Sequence, residues 1–113
     1  MKTIERPIVK GEIMKYFIIE GFITNPDLMN DNIMKEHIAY TQKAMEEGFI
    51  LMSGLKSDVS GGLSVMKSES IKEVEEYLSR EPLKRNGIQE YKVIEFSPHY
   101  LNPSTSEWFY KEE

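Results

Sequence analysis

The chain has 113 residues, 40% apolar and 11% aromatic, with a net charge of -5 and no cysteine. That is enough apolar material for one packed domain but too little length for two, and it excludes disulfides, thiolate nucleophiles and zinc–cysteine sites. The acidic balance, with no block of lysines and arginines, argues against nucleic acid and anionic membrane as partners.

Residues 1–14 read as an N-terminal extension with Pro7 and Gly11 as breakers; the charges scattered through it do not suit a signal peptide, and a cytoplasmic protein is expected. Tyr16 to Ile23 is a short β-branched and aromatic run, a strand too short to span a bilayer, ended by Asn25-Pro26-Asp27. A helix follows from Asn30 to Glu47, with Asn30 and Asp31 as N-cap candidates and Gly48 as the residue past its end. His37 lies four residues after Ile33, three after Met34 and seven before Ala44, so it shares their apolar face. Phe49 to Leu55 is a second strand, Lys56 to Gly62 a hairpin loop, and Leu63 to Lys67 a third strand. Ser70-Ile71-Lys72-Glu73 has the form of a capping box and opens a second helix that runs to about Ser79, with Ile71, Val74 and Leu78 on one stripe. Pro82 stops it, a tight turn runs through Leu83 to Gly87, and Ile88 to Phe96 is the fourth strand. Pro98 and Pro103 then push the tail, 98–113, out of regular structure, and its aromatics Trp108, Phe109 and Tyr110 are expected to contact another surface.

Strand, helix, strand, strand, helix, strand within residues 15–97 folds most naturally as an α+β, ferredoxin-like βαββαβ unit, a four-stranded antiparallel sheet with both helices on one face. Such a sheet should read polar on its open side, yet Phe17, Ile19 and Ile23 alternate with Tyr16, Ile18 and Phe22. A homodimer packed sheet to sheet would cover the second apolar face. Glu20 and Glu95 interrupt strands expected to be neighbours, where two carboxylates on one sheet face would repel or share a proton; lining the cavity between subunits is one reading, and positions at a wet rim the favoured one.

An ordered set of pieces resembles the YCII-related family, the YciI-like proteins of the dimeric α/β-barrel superfamily. They are Tyr16-Phe17-Ile18-Ile19, Glu36-His37-Ile38, Glu47 to Leu55, Asp58 to Gly62, Glu81-Pro82-Leu83 and Asn86-Gly87-Ile88. The resemblance implies a ferredoxin-like subunit, a homodimer or higher homo-oligomer, and a site centred on a histidine and an acidic residue. The histidine falls on His37. The family's aspartate, in an Asp-Pro-aromatic step, falls on Glu81, where glutamate replaces aspartate and Leu83 replaces the aromatic residue.

If His37 and Glu81 meet, the carboxylate orients the ring and leaves its other nitrogen to move a proton. That suits a cofactor-free lyase or hydrolase acting on an unknown small molecule. Asp58 matches an acidic loop position of the family, and Arg85, with Lys84, could bind a substrate carboxylate or phosphate. Each residue has a plainer reading. His37 could be a core histidine satisfied by a carbonyl, Glu81 a helix-end carboxylate in water, Asp58 a turn former, and Lys84 and Arg85 a solvated pair. No metal-binding spacing joins His99 to His37, no Gly-rich nucleotide motif is present, and Gly61-Gly62 is too small a signal to cradle a phosphate, so neither metal nor cofactor is expected. A non-catalytic metabolite-binding module, a structural dimer with a vestigial pocket and a cofactor-free oxygenase are the alternatives.

Overall fold

The computed structural model describes residues 14–108. Residues 1–13 of the expected extension, and Phe109 and Tyr110 of the tail, lie outside the described residues. The elements are β1 (Lys15–Ile23), a 3-10 turn (Pro26–Leu28), α1 (Asp31–Glu46), β2 (Ile50–Leu55), β3 (Gly62–Ser68), α2 (Ile71–Ser79), α3 (Pro82–Arg85), β4 (Gln89–Phe96) and α4 (Thr105–Trp108). The sheet order is β2-β3-β1-β4, with every pairing antiparallel, the ferredoxin-like arrangement.

Local chemistry sets the element ends. The Asn30 side chain accepts the Ile33 N–H and caps α1, and Gly48 takes the positive φ of 84° that lets the chain turn into β2. Ser70 caps α2 by accepting from Glu73 N–H; the Glu73 carboxylate takes the Ser68 hydroxyl rather than returning to Ser70, so only half of the expected box is made. Two segments differ from the sequence expectation. The stretch after Pro82 is a short helix rather than a bare turn, because proline at its first position and a side-chain cap from Glu81 favour one helical turn. The tail carries a short helix, α4, where irregular chain was expected.

Along β1, Phe17, Ile19 and Gly21 point inward while Tyr16, Ile18, Glu20 and Phe22 point to the open face. Phe17 and Ile19 pack with Met66, Ile50, Ala44, Val74 and Leu78 into one core. The α1 stripe behaves differently. Ala44 is buried, but Met34, Ile38 and Met45 stay partly accessible because they line a cavity instead of filling it. On the open face Phe22, Met52, Leu63, Ile94 and Phe96 are each at least 38% accessible, so the strands are apolar on both sides and the described residues leave the second face uncovered. The register pairs Glu20 with Lys92 and Phe17 with Glu95, so the two glutamates sit on neighbouring strands but on opposite faces, not on one face as expected. Glu20 instead pairs with Lys56 at 3.0 Å, and the Lys56 ammonium lies over the Phe22 ring.

Gly61 and Gly21 allow a close approach of the β2–β3 loop to β1. A Cβ on Gly61 would stand 1.9 Å from the Gly21 carbonyl oxygen, a backbone atom that cannot step aside. A Cβ on Gly54 meets nothing within 4 Å. Gly61→Ala is therefore expected to lower stability by about 1–3 kcal/mol or more through overpacking. Gly54→Ala should stay within about 0.5 kcal/mol of wild type, as surface changes do. Urea unfolding of the pair checks both.

Candidate functional site

Between the helices and the inward face of the sheet lies a cavity of about 450 Å³. His37 reaches it from the middle of α1, Glu81 from the residue that caps α3, and Gln89 and Tyr91 from the inward phase of β4. Crossing elements thus bring together residues 44 positions apart in the chain: His37 Nδ1 contacts Glu81 Oε1 directly.

Glu81 is not in water; it is 3% accessible, one of three buried polar residues among those described. A buried carboxylate needs donors, and this one has three. His37 holds Oε1, while Oε2 accepts the Tyr91 hydroxyl at 2.6 Å and the Leu83 N–H at 2.9 Å. Burial pushes the Glu81 pKa up, but the hydrogen bonds from His37 and Tyr91, the charge of His37 and the Leu83 N–H together outweigh it. They hold the carboxyl below its ordinary 4.5. The line of donors continues outward: Gln89 Nε2 donates to the Tyr91 hydroxyl at 3.0 Å, and Gln89 Oε1 accepts the Gly62 N–H at 2.9 Å. Tyr91 is thereby aimed as a donor. Burial first, then its bond to Glu81, pushes its phenol far above the ordinary range, so it stays protonated.

With Nδ1 committed to Glu81, Nε2 is the ring nitrogen left for another partner. That nitrogen has no partner among the described residues, and the ring side chain keeps 29% of its surface accessible against 4% for Glu81. The arrangement is an imidazole oriented by a fixed carboxylate at the wall of a cavity, a geometry that can serve proton transfer.

Asp58 and Arg85 lie elsewhere. Asp58 sits in the β2–β3 loop and accepts from both the backbone and the hydroxyl of Ser60. Arg85 bonds Glu36 at 3.2 Å on the outer surface, and Lys84 pairs with Glu90. None of the three lines the cavity. Sequence reasoning missed Tyr91 and Gln89. The signal was present: both occupy the inward phase of β4 with Val93, where a glutamine marks a polar group that must be satisfied.

The model of the YCII-related domain family matches residues 14–97. Among solved structures, one of those the chain resembles is 5-chloro-2-hydroxyhydroquinone dehydrochlorinase (TftG) from Burkholderia phenoliruptrix AC1100, in complex with 2,5-dihydroxybenzoquinone. The likeness has a TM-score of 0.62 at 19% identity and covers 73% of this chain and 93% of that one; it is a likeness of fold. No curated protein sequence matches the chain.

Because Glu81 titrates lower in the fold than in the unfolded chain, it adds stability above pH 4.5 that is lost as pH falls through the folded value. Tyr91→Phe removes one donor to that anion. It should cost about 1.5–3 kcal/mol at pH 7, the range for a hydrogen bond to a charged group. The gap to wild type should then close as pH drops below 4.5 and Glu81 protonates. Urea denaturation at stepped pH checks this; a gap independent of pH would count against the ionised carboxylate.

Proposed function

The chain belongs to the YCII-related family, and we propose that it is a cofactor-free enzyme of the lyase type. In this reading His37 removes a proton from a small substrate and Glu81 holds the imidazole in place. The observation that supports it is the pairing of His37 Nδ1 with a carboxylate already saturated by two other donors, which leaves Nε2 for the substrate. In the proposed step a substrate proton passes to Nε2 and its bonding pair forms the new double bond. A leaving group on the adjacent carbon departs with its own electron pair, and His37 returns the proton to solvent. The neighbouring fold that carries a dehydrochlorinase makes elimination of chloride the first reaction to try. Asp58 and Arg85 have no part in this assignment, since their side chains are engaged by Ser60 and Glu36.

The test is chloride release from 5-chloro-2-hydroxyhydroquinone, alongside deuterium exchange from D2O into small ketones and phenols followed by NMR. His37→Gln keeps a donor for Glu81 but no titratable base. It should lower either rate by roughly 10²–10⁴-fold while shifting stability by only about 1–2 kcal/mol. Absence of both reactions in the wild-type protein would favour the metabolite-binding module instead.

The apolar open face supports a second element of the proposal, a homodimer packed sheet to sheet. Phe22, Met52, Leu63, Ile94 and Phe96 form a continuous patch across the four strands, the kind of surface that soluble chains cover. Such a face should bury well over ~1,000 Å². Sedimentation at micromolar concentration should give a dimer, and Leu63→Lys, which places a charge in the patch, should give a monomer. A wild-type monomer would remove this element.

A further inference from the structure

The wall of the cavity is chemically lopsided. Among the described residues that line it, Glu81 is the one carboxylate, His37 is bonded to it, and there is no lysine or arginine. Most of the remaining wall is isoleucine, leucine and methionine. A carboxylate or phosphate entering here would lose its water beside a buried anion and find no cation in exchange. A neutral molecule of ring size meets no such penalty.

Among the polar groups of the wall the Gln42 amide is exposed to solvent, while one half-buried phenol bonds nothing among the described residues. Tyr77, from α2, lines the cavity, and its hydroxyl has no partner among the described residues. Its ring is clamped: it stacks on Tyr40 with centroids 4.6 Å apart and planes 23° from parallel, and the Tyr40 hydroxyl donates to the Tyr77 carbonyl at 2.7 Å. The other two phenols of this region are spent, Tyr40 on that carbonyl and Tyr91 on Glu81. Serine and threonine hydroxyls on the same wall can turn back to their own backbone; a tyrosine hydroxyl cannot reach that far. Burial, then Tyr40 and Glu81, pushes the Tyr77 phenol well above the ordinary range, so it remains a donor throughout neutral pH.

We infer that the Tyr77 hydroxyl receives the oxygen of an uncharged, ring-sized substrate, so that the cavity selects neutral phenol- or ketone-like molecules and rejects preformed carboxylates and phosphates. The inference rests on the reading of His37 as the base. As the substrate's O–H or acidic C–H proton passes to Nε2, the electron pair left behind settles on the substrate oxygen. The Tyr77 O–H is the donor that holds that oxygen as its charge grows.

The probe is 4-nitrophenol, whose visible band reports proton loss. At a pH where the free phenol is neutral, adding the protein should raise the phenolate band, and benzoate at equal concentration should not displace it. Tyr77→Phe keeps the ring and its stack. It should weaken 4-nitrophenol binding by at least about tenfold, as expected for a lost hydrogen bond to an anion, and shrink the band. His37→Gln should abolish the band while the neutral phenol still binds. Binding and band unchanged in Tyr77→Phe, but lost in His37→Gln, would overturn the role of Tyr77 and leave the base assignment standing. Displacement by benzoate, or no binding of 4-nitrophenol at millimolar concentration, would overturn the substrate class whatever the outcome of the turnover assays. Should the phenylalanine variant fail to fold, 3-fluorotyrosine at position 77 retains the hydroxyl. Its fluorine resonance should move as the band forms, and an unmoved resonance would overturn the proposal.

Discussion

The burial of one carboxylate organises this fold. Glu81 caps a four-residue helix, and capping alone would leave it at the surface. Instead it is turned inward, and an ion in that position requires a full set of donors or the chain would neutralise it. The Leu83 N–H, His37 and Tyr91 supply them from three different elements. Each supplier is fixed in turn. Gln89 aims Tyr91, the Gly62 N–H aims Gln89, and Gly21 leaves room for the Gln89 amide, which a Cβ there would meet at 2.3 Å. The Gly61-Gly62 pair thus serves the site through backbone packing and one N–H rather than through any anion.

The same fold divides its apolar residues in an unusual way. Among the described residues seven make the core cluster, and much of what remains faces either a cavity or the open side of the sheet. Large side chains on α1 that ordinary packing would press onto the sheet stand back from it, and Met34, Ile38 and Met45 become walls. Methionine suits this role, since its unbranched, polarizable chain adapts to whatever occupies the space. Apolar surface is therefore spent on two openings, one of small-molecule size and one of sheet size.

The elements were legible in the sequence because their signals are local. The Asn30 cap, the Gly48 exit, the Ser70 cap and the alternation in β1 each act within a few residues of where they are read. The strand order followed from the connections. The residues brought to the site were legible only in part. His37 was visible as a polar residue in an apolar phase, and Glu81 through the likeness of its surroundings to a family pattern. The rest of the donor set depends on tertiary register. That Tyr91 pairs with Gly21 of β1, and so stands level with Gly62 at the start of β3, cannot be seen before β4 is paired. The faces of Glu20 and Glu95 were misjudged for the same reason: adjacency of strands was inferred, but the offset that separates the two faces is set by pairing. The cavity was the least legible feature. Periodicity says which face of a helix is apolar and not whether that face is filled.

The His37–Glu81 pair is a poor device for stability alone. Two groups taken out of water for one contact generally gain less than well-packed apolar side chains of the same volume would. A chain selected only to hold α1 against α3 would do so with leucine and methionine, both already abundant on this wall. Here the carboxylate is satisfied so completely that it has no donor to seek, while its histidine is left accessible with one nitrogen uncommitted. That asymmetry is unnecessary in a structural ion pair, where both partners gain by being buried. It is what a proton-transfer site needs, an anion that does not move and a base that can meet a substrate.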